Sequence, residues 1–174
     1  MAGEVGIYII DACCIVGLEN AHTGQSQQDI YPAVEQRKIW DGLQALAEAG
    51  QLKIVIEVIR EISARTQGGA ERLKALPKTR VQRTSAIMSE YQNLVSEFTR
   101  WRSDGQSIFD SGDPWLISTA RIKGYTVLTD ETPFSTKTTK WRRGKPLIPD
   151  VCGRKQVVCF IGLREFAKQN GWLD

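Results

Sequence analysis

The stretch that most constrains the fold is IYII, residues 7–10, which is followed at once by Asp11. Four consecutive large apolar residues leave neither face of a strand polar, and such strands belong in parallel sheets that are covered on both faces. The carboxylate that follows has two interpretations. Asp11 either caps the next turn of the chain, or it faces a cleft and binds something positively charged.

Strand and helix patterns alternate along the rest of the chain. Extended segments are predicted at residues 52–56, 125–129 and 156–160, with helical patterns between them. This alternation predicts a three-layer α/β/α fold around a central parallel sheet. Because the 174 residues contain no repeat and no low-complexity linker, we expect a single domain over residues 1–174.

The helix predictions rest on stripes of apolar residues and on Pro and Gly as boundary residues. In DPWLISTARIKG, Asp113 is predicted to be the N-cap, Pro114 to lie in the first turn and Gly124 to follow the end. Gly68 and Gly69 are predicted to break the chain. Further helices are predicted from Ala12 onward, between Pro32 and Gly50, at 57–65 and at 162–170. Two more are predicted to form an antiparallel pair around Pro77, the second of them at 79–102. Residues 130–149 are predicted to form a long, polar and basic loop.

Composition excludes several kinds of chemistry. The chain has one histidine, His22, so a Ser-His-Asp hydrolase would depend on that residue and a metal-free nuclease with two histidines is excluded. Any chemistry is therefore expected to depend on carboxylates. The net charge of +3 permits a nucleic-acid partner without requiring one.

The chain carries no sign of a membrane or of an oxidising compartment. No apolar run approaches the roughly 18 residues of a membrane span, and the start of the chain lacks the pattern of a signal peptide. We therefore expect a cytoplasmic protein. The four cysteines, Cys13, Cys14, Cys152 and Cys159, follow no metal-ligand spacing, and we expect reduced, mostly buried thiols.

Acidic residues occur where a parallel sheet would place a cleft, because ligands bind beyond the carboxyl ends of the strands. Asp11 follows the first strand, and Asp130 and Glu131 follow YTVLT. Asp113 begins the helix before that strand, and Glu61 lies on an earlier helix. Each residue alone has a simpler interpretation as a turn residue, a helix cap or part of a solvated helix face. Their combination and order favour a functional site.

In that order, the motifs resemble those of the PIN-domain ribonucleases. The matching segments are a strand ending in Asp11, EI at 61–62, DPWLISTA at 113–120, VLTDE at 127–131 and LIPDVC at 147–152. The resemblance spans nearly the whole chain and is closer to a PIN-like subgroup that carries the DPWLI and IPDVC motifs. It implies a PIN-like α/β/α domain and an endoribonuclease similar to the VapC-type toxins of toxin–antitoxin pairs.

The resemblance also implies a Mg²⁺ or Mn²⁺ site. By position, the ligands and catalytic residues would be Asp11, Glu61, Asp113 and Glu131, with Asp130 as an alternative to Glu131 and Asp150 as a further metal ligand. Hard divalent cations prefer such oxygen ligands. Many PIN toxins have a hydroxyl residue two positions after the first Asp, where this chain has Cys13.

The predicted loop after Glu131 is basic and contains an aromatic residue, which suits phosphate contacts and stacking on an unpaired base. Its candidate nucleic-acid-binding residues are Lys137, Lys140, Trp141, Arg142, Arg143 and Lys145. A solvated loop is the simpler alternative. The resemblance implies RNA as substrate, an antitoxin protein as partner and a homodimer. The rival prediction is a PIN-like module that binds RNA or protein without cleaving.

Overall fold

A computed structural model describes residues 6–98, 112–133 and 146–174. Within these ranges the chain forms four strands and eight helices. The strands are β1 (Tyr8–Ile10), β2 (Leu52–Lys53), β3 (Thr126–Thr129) and β4 (Cys159–Ile161). The helices are α1 (Ala12–Leu18), α2 (Ala33–Glu48), α3 (Ile56–Ser63), α4 (Gln67–Ala75), α5 (Ser85–Glu97), α6 (Gly112–Lys123), α7 (Ile148–Lys155) and α8 (Leu163–Gln169).

The four strands form one parallel sheet in the order β2-β1-β3-β4. In the central pairs, Tyr8 lies opposite Leu52 on one side and opposite Thr126 on the other. The chain leaves β1 toward β2 at one side of the sheet and returns through β3 toward β4 at the other. The carboxyl ends of β1 and β3 therefore border the crevice where the strand order reverses, the usual ligand site of an open α/β sheet.

Both faces of the sheet are covered. Successive residues of a strand point to opposite faces, and Ile9 and Ile10 are both fully buried. Val127 and Leu128 show the same pattern in β3. Helices pack against the two faces, which makes three layers. The predicted α/β fold with a central parallel sheet is confirmed.

Most predicted helices are present close to the expected boundaries. Helix α1 begins at Ala12, and α2 begins at Ala33 with Pro32 as its N-cap. Gly124 has φ +70, as a glycine after a helix end requires, because an L side chain is strained in that conformation. Helix α8 closes the chain as predicted.

Three boundary predictions are wrong. Gly68 and Gly69 do not break the chain but lie in the first turn of α4, where the side chain of Thr66 accepts a hydrogen bond from the Gly69 N–H and caps the helix. Helix α5 begins at Ser85 rather than at residue 79, because Arg80 pairs with Ile54 in a β-bridge beside β2. The predicted loop at 130–149 already contains the start of α7 at Ile148.

The structure also describes the state of the cysteines and the character of the helices. The four cysteines are free thiols, of which Cys14 and Cys152 are buried and Cys13 and Cys159 are partly exposed. Across residues 6–98, 112–133 and 146–174, no helix combines the length and the apolar character needed to cross a membrane.

Candidate functional site

Asp11 is buried at the carboxyl end of β1, with 3% of its surface exposed. One carboxylate oxygen accepts a hydrogen bond from the Ala12 N–H at 2.6 Å, so Asp11 is the N-cap of α1. The other oxygen accepts hydrogen bonds from the Thr129 hydroxyl, at 3.0 Å, and from the Cys13 thiol. The residue is therefore both a helix cap and a carboxylate held at the crevice between β1 and β3.

The charge on Asp11 is unfavourable in this position. Burial raises its pKa, and the negative charges of Asp113 and Glu131 raise it further, to about 8. The hydrogen bonds from Cys13 and Thr129 lower the pKa but do not offset these effects. Three of the predicted acidic residues thus lie close enough to interact electrostatically, and a cation would favour their ionised forms.

Glu131 lies on the same side of the crevice as Asp11. Its backbone N–H donates to the Thr129 hydroxyl oxygen at 3.1 Å, and that hydroxyl in turn donates to Asp11. One oxygen of the Glu131 carboxylate accepts a hydrogen bond from the Ile148 N–H at 2.7 Å. Glu131 therefore links the end of β3 to the start of α7.

Asp130 points away from this group. Its Oδ1 accepts a hydrogen bond from the Leu163 N–H at 2.6 Å, at the start of α8. The residue lines a separate cavity of about 500 Å³ together with His22, Tyr31 and Arg164. Burial raises the pKa of Asp130, whereas the Leu163 N–H and the charges of His22 and Arg164 lower it. Of the two candidates for the fourth acid, Glu131 is the one whose charge acts on Asp11.

Glu61 and Asp113 come from two helices that pack on each other. The Glu61 carboxylate accepts a hydrogen bond from the Gly112 N–H at 2.7 Å and so binds the first residue of α6. Asp113 is the second residue of α6 and is buried, with 6% exposed. The prediction that Asp113 is the N-cap is therefore wrong. The hydrogen bond at the helix start is accepted instead by Glu61, which lies 51 residues before Gly112 in the chain.

Four of the predicted acids share one local arrangement. Each has a carboxylate oxygen hydrogen-bonded to the N–H of the first residue of a helix, where unpaired N–H groups and the helix dipole favour a negative charge. The pairs are Asp11 with α1, Glu61 with α6, Glu131 with α7 and Asp130 with α8. The amino ends of four helices thus meet the carboxyl edge of the sheet through acidic side chains.

Residues 8–173 match the family described as "Domain of unknown function (DUF4411)". The chain belongs to the DUF4411 family. The match extends from the start of β1 to beyond the end of α8, so the acidic edge lies inside the family's domain. No curated protein matches the chain.

Two groups of predicted site residues of this DUF4411 domain remain. Asp150 is partly exposed in the first turn of α7. The predicted nucleic-acid-binding residues lie outside the described residues; they are Lys137, Lys140, Trp141, Arg142, Arg143 and Lys145.

The donor set at the crevice fits a hard divalent cation in its chemistry. It offers carboxylate oxygens from Asp11, Asp113 and Glu131. The negative charges of Asp113 and Glu131 disfavour the ionised form of Asp11. In the part of the chain that the structure describes, no group of three or more acidic, imidazole or thiol side chains is arranged to hold a metal ion. Mg²⁺ is commonly held by one or two carboxylates with water in the other positions, which matches such an incomplete set.

Sequence reasoning missed the part that Thr129 plays in this DUF4411 site. Its hydroxyl is fully buried, donates to Asp11 and accepts from the Glu131 N–H, so it joins the ends of the two central strands. The signal was its position as the last residue of a buried strand beside two acids. A hydroxyl there must find hydrogen-bond partners, and the polar groups of the crevice are the ones within reach.

Proposed function

We propose that this DUF4411 domain is a metal-dependent endoribonuclease that hydrolyses phosphodiester bonds of RNA. The observation that carries the proposal is the state of Asp11. It is a buried carboxylate at the switch point of a parallel sheet, and the neighbouring charges of Asp113 and Glu131 make its ionisation costly. Such perturbed acids are typical of functional sites, and a cation is the partner that would stabilise them.

In this proposal, Asp11, Asp113 and Glu131 would hold Mg²⁺ or Mn²⁺ directly or through bound water, with Glu61 at the margin of the site. A divalent cation of this kind supplies an activated water and offsets the charge that develops on the phosphate. The chain's own contribution is to fix the carboxylates. Thr129 and Cys13 orient Asp11 by hydrogen bonds, and the N–H groups of Gly112 and Ile148 orient Glu61 and Glu131.

The first test is thermal unfolding with Mn²⁺ and with a chelator. A ligand at about 100 times its dissociation constant stabilises the folded state by roughly 2.7 kcal/mol, which is a measurable shift in Tm. We expect the shift in the wild type and its loss in Asp11→Asn. Asp41→Asn removes an exposed acid of α2 and is the matched control, which keeps the shift. Equal shifts in all three proteins would contradict the metal site.

The second test is cleavage of a mixed RNA pool, because a selective ribonuclease assayed on one RNA gives an uninformative negative. We expect Asp113→Asn to lower the cleavage rate by more than the roughly 10–100-fold that loss of an outer-shell partner of a metal typically costs. The same pool made as single-stranded DNA tests the choice of RNA over DNA. Undiminished cleavage by Asp113→Asn would rule out the proposed mechanism.

We extend the proposal to the biological role implied by the motif resemblance: the toxin of a toxin–antitoxin pair that acts as a homodimer and is held inactive by an antitoxin protein. Expression of the chain alone should then arrest growth, and Asp11→Asn should relieve the arrest. Light scattering on the purified protein tests the homodimer. Growth equal to that of cells that express Asp11→Asn would contradict the toxin role.

A second candidate function is a non-catalytic module that binds RNA or protein. The observation that favours it is that Asp11, Glu61 and Glu131 each already bind a helix N–H, a structural use that requires no cation. This candidate predicts RNA binding without any Mn²⁺-dependent shift in Tm. The two unfolding outcomes therefore separate the candidates.

A further inference from the structure

A cleft of about 330 Å³ lies between the start of α1 and the end of α3. Cys13 lines it on the α1 side, and Glu61 and Arg65 line it on the α3 side. Cys13 donates a hydrogen bond to Asp11, and Glu61 accepts one from the first residue of α6. The cleft therefore lies beside the acidic edge of the sheet.

Arg65 is the cation of the cleft. It is exposed, and it makes no ion pair or hydrogen bond through its side chain with the residues that the structure describes. Four other arginines of the domain, by contrast, each have a carboxylate partner: Arg72 with Glu19, Arg83 with Glu57, Arg121 with Glu90 and Arg164 with Glu35. The guanidinium of Arg65 is thus available for an anion from outside the chain.

His22, from the loop after α1, also lines the cleft. Its Nε2 lies 3.1 Å from the Cys13 carbonyl oxygen. Because a carbonyl oxygen only accepts, Nε2 carries a proton and donates it in this bond. The ring also lines the larger cavity beside Asp130, so His22 separates the two spaces. The bond fixes a polar aromatic ring at the edge of the cleft that contains Arg65.

We propose that this cleft is a phosphate subsite that binds a backbone phosphodiester of single-stranded RNA through Arg65, next to the phosphodiester at the acidic edge. The inference rests on the proposed ribonuclease function. A guanidinium binds two phosphate oxygens at once, which fixes orientation as well as adding affinity. The neighbouring carboxylate of Glu61 repels a phosphate, so the strand is held only where Arg65 offsets that charge. The subsite therefore sets the position of the strand relative to Asp11.

The test is the salt dependence of RNA binding, measured by fluorescence anisotropy in chelator, where no metal-dependent cleavage occurs. The probe is a short fluorescein-labelled single-stranded RNA of mixed sequence. Loss of one phosphate contact should reduce the slope of log K against log salt by about 0.7 for a single strand. We expect this change in Arg65→Gln and a smaller loss of affinity in Arg65→Lys. Arg60→Gln is the matched control, since Arg60 is an exposed arginine of α3, shortly before Arg65 in the chain, and does not line the cleft.

The outcomes distinguish the subsite from the function on which it rests. Equal slopes for Arg65→Gln, Arg60→Gln and the wild type would overturn the subsite, and Arg65 would then be only a charge at a helix end. Failure of the wild type to bind RNA in chelator at any salt concentration would overturn the subsite, whereas the Mn²⁺ shift in Tm and the cleavage assay decide the metal-dependent activity separately. A reduced slope together with no Mn²⁺ shift in Tm would support the subsite and contradict the metal-dependent activity. Urea unfolding of each variant shows whether it is folded.

Discussion

The thiol of Cys13 donates a hydrogen bond to the carboxylate of Asp11, two residues before it. The same sulfur accepts a hydrogen bond from the Asp130 N–H at 3.2 Å, so it connects the carboxyl ends of β1 and β3. An interaction with Cys14 lowers the pKa of Cys13, but burial and the charges of Asp11 and Asp130 raise it to about 12. The sulfur therefore stays protonated and serves as a hydrogen-bond donor to Asp11.

This relationship predicts different results for two substitutions of Cys13. Cys13→Ser keeps a donor and an acceptor, whereas Cys13→Ala leaves Asp11 with one hydrogen bond fewer. Since a hydrogen bond to a charged group contributes about 1.5–3 kcal/mol, we expect Cys13→Ala to be destabilised by about that amount at alkaline pH. Urea unfolding measures the difference. Equal stability of the Ala and Ser variants would show that the thiol bond contributes nothing.

The pKa of Asp11 predicts how stability changes with pH in chelator. The folded state keeps a proton on Asp11 up to about pH 8, whereas the unfolded chain loses it near 3.8. The folded state thus binds more protons between these values, and the free energy of unfolding should fall as the pH rises from about 4 to about 8. In Asp11→Asn this contribution is absent.

The same reasoning predicts that Asp11→Asn is more stable than the wild type at pH 8 without metal. A pKa raised by one corresponds to about 1.4 kcal/mol of cost for ionising Asp11 in the folded state. The amide of Asn avoids this cost but forms weaker hydrogen bonds, so we expect the free energy of unfolding to rise by about 1–2 kcal/mol. Urea unfolding at pH 5 and pH 8 checks both statements. A variant less stable than the wild type at both pH values would contradict them.

Glu61 allows the structural and electrostatic contributions of one acid to be separated. Glu61→Ala removes the acceptor for the Gly112 N–H, and loss of such a capping bond costs about 1 kcal/mol. Glu61→Gln keeps an acceptor and removes only the charge. We expect the Ala variant alone to lose stability and both variants to weaken the Mn²⁺-induced shift in Tm. A full shift in Glu61→Gln would exclude its charge from cation binding.

The absence of a side chain at Gly112 allows α3 and α6 to approach closely. A Cβ there would lie 2.9 Å from Val58 Cγ2 and 3.3 Å from Glu61 Oε2, too close without displacing α3. We expect Gly112→Ala to cost about 1–3 kcal/mol, as overpacked cores do. Gly153→Ala is the control, because a Cβ on that α7 residue meets nothing within 4 Å and should stabilise the domain by about 0.5–1 kcal/mol. If both substitutions changed the free energy of unfolding in the same direction relative to the wild type, this account would be contradicted.

The strands could be predicted because each is a short buried run, and the parallel topology then placed Asp11 and Glu131 at one edge. Helix α7 was hidden because it is short and follows a polar, basic stretch. The partners of the acids could not be predicted either. The bond from Gly112 to Glu61 joins residues 51 apart, and only the packing of α3 on α6 brings them together. Local patterns contain no information about such long-range contacts.

The hydrogen bonds between the acids and the helix starts have a consequence for how the domain evolves. Replacing Asp11, Glu61 or Glu131 with a residue that has no side-chain acceptor leaves a helix N–H without its partner. Selection for folding alone would therefore preserve an acceptor at these positions, Asn or Gln as readily as an acid, and only a function that uses the charge would preserve the acid itself.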